Sequence, residues 1–228
     1  KQNEQTDAHV EITNVTSAEA RLNGIKFSSM ITSTLNNVVS QQNGAHGFDF
    51  GDKYQTSVVA TACFAVSNKY NGFFIKDMSY STFNGCAADK NEQSGWYVSN
   101  AKAVKFIGCG AECNFRAGFY VTDGKEEGVI QKKVESLSLE SCFGYNNNVR
   151  GGWSNFLYVK PTNGGKAYVF VSNSSDLQGS GLGTACPATN NQYSTVADGT
   201  GAIIIDNYST FAEKVIAIRG GRIKSFKF

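Results

Sequence analysis

Apolar positions along the chain recur in a two-part pattern that returns about every 23 residues. The pattern is clearest over 72–121, where "GFFI" from Gly72, "GWYV" from Gly95 and "GFYV" from Gly118 follow at equal intervals. Each run alternates with the period of two that marks a strand. Nine residues ahead of these glycines stand Cys63, Cys86 and Cys109, each three residues after another apolar position. Followed both ways, the unit reads Ile12/Val15/Gly24, Leu35/Val38/Gly47, Ala60/Cys63/Gly72, Phe83/Cys86/Gly95, Phe106/Cys109/Gly118 and Leu139/Cys142/Gly151. Val171/Ser174 reads as a weaker seventh copy and Ile218/Gly221 as a last strand. The Cys/Val position advances by 23, 25, 23, 23 and 33 residues.

A polar column accompanies the apolar ones. Five residues after the Cys/Val position lie Asn43, Asn68, Asn91, Asn114 and Asn147, with Ala20 as the exception in the first copy. Asn tolerates left-handed backbone, and its amide donates and accepts at once, so stacked Asn side chains can form a ladder. A unit of 23 residues has no room for a strand, a substantial helix and two turns. It predicts one coil of an all-β, single-stranded parallel β-helix, each coil rising by about 4.8 Å. Coils are expected over 1–175, followed by an irregular closing region, 176–228, with a Gly/Ser/Thr/Asn-rich loop and terminal strands. The first coil begins so near residue 1 that an N-terminal domain is expected to sit above it, making this chain a fragment.

In such a fold the neighbours of a residue are its column mates. The first and third residues after each glycine, among them Phe48, Phe73, Trp96 and Phe119, are expected to point inward, so Trp96 is read as core. The residue between them points outward: Lys26, Asp49, Phe74, Tyr97, Tyr120. Three outward aromatics in succession form the kind of apolar patch that marks a contact, either a sugar-stacking platform or a face between subunits. Trp153, before the strand "FLYV", is read as either an exposed sugar-stacking residue or a core side chain.

Three residues after Cys86 and Cys109 stand Asp89 and Glu112, one above the other on adjacent coils. Two carboxylates about 5 Å apart have the separation used by a retaining glycosidase. Mutual repulsion would make one an acid and leave the other an anion. The plainer alternative is a solvated pair neutralised by Lys90 and Arg116. Asp52, Asp77 and Asp123 form another acidic column, better read as turn caps than as a Ca²⁺ site. The charged stretch 123–133 is expected to project as a loop, with Glu126 and Glu127 as alternative acids beneath it.

Composition narrows the classes. A net charge of +2 lacks the basic footprint of a nucleic-acid binder. No apolar run reaches membrane-spanning length, so membrane insertion is not expected, and nothing at the N-terminus reads as a signal peptide. The column Cys63, Cys86, Cys109, Cys142 has parallel Cβ vectors and no unique pairing. Free thiols acting as small apolar fillers are expected, which suits a reducing cytoplasm. Cys113 and Cys186 lie off that column, and no zinc site is read from them. The two histidines, His9 and His46, have no motif around them, and no cofactor fingerprint occurs.

The 23-residue rungs, the Asn column and the "xFxxCxxxxNxxxGΦxΦ" texture over roughly residues 10–175 resemble right-handed parallel β-helices of the pectate-lyase-like class. Within it the texture is most similar to bacteriophage tailspikes and tail-fibre polysaccharide depolymerases. That resemblance implies a homotrimer on the virion that binds or cleaves a bacterial surface polysaccharide, capsule or O-antigen. It points to endo-glycoside hydrolysis with Asp89 and Glu112 as the catalytic pair and Phe74, Tyr97, Tyr120 and Trp153 as sugar contacts. A polysaccharide lyase and a non-catalytic receptor-binding or structural trimer are the alternatives.

Overall fold

The computed structural model describes residues 9–122, 133–148, 153–160, 166–177, 203–205, 213–223 and 226–227. Gly151, Asp123, Glu126, Glu127 and Cys186, and nearly all of the 123–133 stretch, lie outside them. The described residues are strands and turns, and the ladders join them in parallel. The chain is a parallel β-helix.

Each coil contributes to three ladders, as the coil from 82 shows with Thr82–Asn84, Ala87–Asp89 and Trp96–Lys102. The first ladder carries Phe83 opposite Ala60 and Phe106, and Phe106 opposite Leu139. It runs on through Val171 to Ile218. In the third ladder Trp96 lies between Phe73 and Phe119, and Phe119 pairs with Leu157, then Ile203, then Phe226. The 23-residue register is therefore real, and the ladders continue into 203–227.

One assignment in the last copy changes. Leu157, not a residue after Gly151, stands next to Phe119, and the Phe119 N–H donates to the Phe156 carbonyl at 2.7 Å. Phe156 thus occupies the column expected to hold Gly151. In the regular coils glycine is required by space. A Cβ on Gly95 would lie 2.8 Å from the Asn114 side-chain nitrogen and 2.9 Å from the Gly118 carbonyl.

The interior is a stack. Phe48, Phe73, Trp96 and Phe119 lie nearly parallel, with centroid steps of 4.6, 4.0 and 5.6 Å. Trp96 is fully buried and its indole N–H donates to the Gly110 carbonyl at 2.9 Å, so the buried polar atom is satisfied. The corner between the second and third ladders is held by the Asn column. Asn43 donates to Asn68, Asn68 to Asn91, Asn91 to Asn114 and Asn114 to Asn147, at 2.8–2.9 Å. From Asn68 onward each amide also donates to a backbone carbonyl of the coil before, as Asn91 does to Ala65. The residue ahead of the ladder is left-handed in every coil: Glu19, Gln42, Ser67, Lys90, Cys113, Asn146. A second left-handed column, Asn14, Asn37, Ala62, Gly85, Gly108, Ser141, Asn173, turns the chain between the first two ladders. These corners let a coil change direction without a long loop.

Candidate functional site

The acidic pair forms where the register demands it. Asp89 is paired with Glu112 on adjacent strands of the second ladder, with Val66 on one side and Tyr145 on the other. Both are half-buried on the outer face. Beside Glu112, Gly110 leaves a gap that the Phe143 ring fills, its nearest carbon 2.3 Å from where a Cβ would stand. Burial, and after it the Glu112 charge, raise the Asp89 carboxyl to about 6, with Lys90 partly opposing them. Of the two cations expected to neutralise the pair, Lys90 acts on Asp89. Arg116 instead rests on Trp153, its guanidinium carbon 5.1 Å from the ring centroid.

The aromatic column stands on the third ladder, across the Asn corner from the acids. Phe74, Tyr97 and Tyr120 are register partners and half-buried. Phe74 stacks on Tyr97 at 4.9 Å, and Tyr97 meets Tyr120 at 5.3 Å with its plane turned 64°. Trp153 is half-buried and belongs to this outer face. It meets Tyr120 edge-on at 5.4 Å and Tyr158 at 5.1 Å. The structure thus brings Phe74, Tyr97, Tyr120 and Trp153 into one ribbon, and holds Asp89 and Glu112 together on a different ladder.

Two members of the ribbon escaped the sequence reading. Tyr158 is the register partner of Tyr120, displaced from the regular spacing by the inserted residues before it. His46 stacks on Phe74 at 4.5 Å and 13°, and meets Tyr70 edge-on. Its Nδ1 accepts the Asn71 N–H at 3.1 Å, so the neutral ring carries its proton on Nε2. Burial lowers the His46 pKa, opposed in part by the nearby Asp49 charge. Asp49 is itself held by Asn23 at 2.6 Å and by the Gly51 N–H at 2.9 Å. These partners lie 23–28 residues from His46 or three along, a spacing visible only when coils are stacked.

The remaining polar candidates are structural. Asp77 accepts from Asn100 on the next coil, and Asp52 pairs with Lys26 at 3.7 Å. Among the described residues no His/Cys/Asp/Glu group is arranged to hold a metal ion. Cys63, Cys86, Cys109 and Cys142 are free and buried. A hydrogen bond to the next thiol in the column, together with burial, pushes Cys86 and Cys109 up to about 12. Cys113 differs: it is disulfide-bonded.

Parallel ladders, one strand per ladder per coil, an Asn corner and a stacked interior define a parallel β-helix. The chain belongs to the right handed beta helix region family, which matches residues 3–138. Among solved structures it is similar to the A-module of the mannuronan C-5 epimerase AlgE4 of Azotobacter vinelandii, with a TM-score of 0.51 and 11% identity. The likeness covers 96% of this chain and 57% of that one, so the chain spans little more than half the length of that structure. No curated protein matches by sequence.

Proposed function

We propose that this β-helix binds a bacterial surface polysaccharide along its outward aromatic ribbon and cleaves it at Asp89 and Glu112. The observation that carries the proposal is the register-paired carboxylates with Asp89 raised to about 6. Two carboxyls one strand spacing apart, about 5 Å, match the separation of a retaining glycosidase. Asp89, which holds its proton up to about pH 6, donates it to the leaving glycosidic oxygen. Glu112 attacks the anomeric carbon and forms a glycosyl ester. A water deprotonated by Asp89 then releases the sugar and restores both groups.

The rest of the proposal concerns assembly. Val59 and Phe170 are exposed on the outer face of the first ladder. Apolar side chains on that face suit the seam of a homotrimer, which would leave the carboxylates of the second ladder and the aromatic ribbon of the third to the glycan. A trimeric phage tailspike or tail fibre, acting at the host surface, is the setting that joins these features.

The test is incubation with capsular and O-antigen polysaccharides from a panel of bacterial hosts, assayed for new reducing ends and for ultraviolet-absorbing unsaturated products. New saturated reducing ends from one glycan are expected. Unsaturated ends would replace hydrolysis by elimination. Binding without cleavage of the bound glycan would remove the enzymatic part of the proposal.

A further inference from the structure

Arg116 stands at the corner of its coil, four residues after Glu112 and four before Tyr120. Its backbone is fixed on both sides: the N–H donates to the Gln93 carbonyl at 3.0 Å, and the carbonyl accepts from Asn148 at 2.8 Å. The half-buried side chain leans over Trp153 at 5.1 Å. Trp153 is itself anchored, its N–H donating to the Asn148 side chain at 2.9 Å. Beneath lies a small apolar cluster separate from the main core, in which Ala117, Tyr158 and Ile204 carry Tyr120 and Trp153. A cation over an indole ring satisfies the ring face but uses none of the guanidinium N–H donors along its edge. Among the described residues no carboxylate lies within ion-pair distance of Arg116; the pairs present are Lys26–Asp52, Lys69–Glu92 and Lys102–Glu135.

We infer that Arg116, Trp153 and Tyr120 form an acidic-sugar subsite: the guanidinium takes the carboxylate of a uronate-type residue while the pyranose ring lies on the aromatic side chains. The chemistry of each part supports this. The planar guanidinium fork matches the two oxygens of a carboxylate, which a lysine ammonium does not. Stacking on Trp153 holds the fork in place before the ligand arrives, so little ordering remains to oppose binding. The subsite lies at one end of the ribbon that begins at His46, three coil steps away, or about 14 Å along the axis. The inference rests on the polysaccharide reading above and narrows it to carboxylate-bearing polymers.

The test uses neutral and uronate-bearing capsular polysaccharides, each acidic polymer also in a form with its carboxyls reduced to primary alcohols. Affinities are measured for the unmodified protein and for Arg116→Gln, Arg116→Lys and Tyr97→Ala, with thermal melting as the check on folding. The unmodified protein is expected to lose about tenfold in affinity when the carboxyls are reduced. Arg116→Gln should show the same loss toward the native acidic polymer and little change toward the reduced one. Arg116→Lys should recover only part, because it restores charge without the fork. Equal binding of native and reduced polymers, with Tyr97→Ala weakening both, would leave the aromatic platform standing and overturn the acidic subsite. Equal losses toward both polymers in Arg116→Gln would make Arg116 a mere prop for Trp153 and overturn it as well. Should Arg116→Gln not fold, the native-against-reduced comparison on the unmodified protein decides. Failure to bind any member of the panel would remove both this subsite and the polysaccharide reading.

Discussion

Asp89 stands where burial and a neighbouring carboxylate both oppose its ionisation. Its folded-state pKa, about 6 against 3.8 for a free group, means the native protein holds that proton more tightly than the unfolded chain does. The stability it contributes is full below about pH 4 and is lost as the pH rises through about 6. Asp89→Asn is therefore expected to raise the melting temperature at pH 7, with the gain shrinking toward pH 4. A melting series across that range checks the sign; equal effects at both ends would show that Asp89 is an ordinary surface carboxylate. The column thiols give a second prediction at this scale. With Cys86 and Cys109 held protonated to about 12, the four free cysteines should resist alkylation in the native state and react on unfolding.

Among the elements, the Asn corner is the most exacting. Asn91 donates to Asn114 and Ala65, and its carbonyl oxygen accepts from both the backbone and the side chain of Asn68. Asn91→Ala removes all four bonds and leaves buried partners unsatisfied, a cost of roughly 3 kcal/mol. Asn91→Asp keeps the shape but sets a carboxylate against the Asn114 oxygen, and should cost more. Denaturant unfolding of the two variants measures this order; a milder effect of Asn91→Asp than of Asn91→Ala would mean that the ladder does not depend on amide donors. The ladder was legible in the sequence because each rung is the same residue at a fixed offset. The left-handed column running from Asn14 to Asn173 was not, because Asn, Ala, Gly and Ser all occupy it and only its backbone is uniform. Gly151 misled for a related reason. Insertions shift the count, and only hydrogen bonds to the neighbouring coil identify Phe156 as the residue in its place.

For the whole molecule, the repeat made the architecture readable, while the site was readable only in part. Asp89 and Glu112 could be paired from spacing alone, since neighbours in a column differ by one period. His46 could not, because its imidazole meets Phe74 and Asn71 across coils and across columns, where no local motif forms. Nor could the direction of Arg116, which depends on an inserted tryptophan rather than on the repeat. At this scale the exposed Val59 and Phe170 of the first ladder predict self-association. Light scattering should give a trimer of the 24.6 kDa chain, and Phe170→Asp should shift it toward monomer. A stable monomer at micromolar concentration would argue against the tailspike setting.

The most direct test of the central claim is the rate at which Asp89→Asn and Glu112→Gln release reducing ends from a polysaccharide that the unmodified protein binds and cleaves. Both variants should still bind it and lose activity by about 10²–10⁴-fold, with Asp89→Asn folded and more heat-stable than the parent at pH 7. Full activity in either variant would contradict the account.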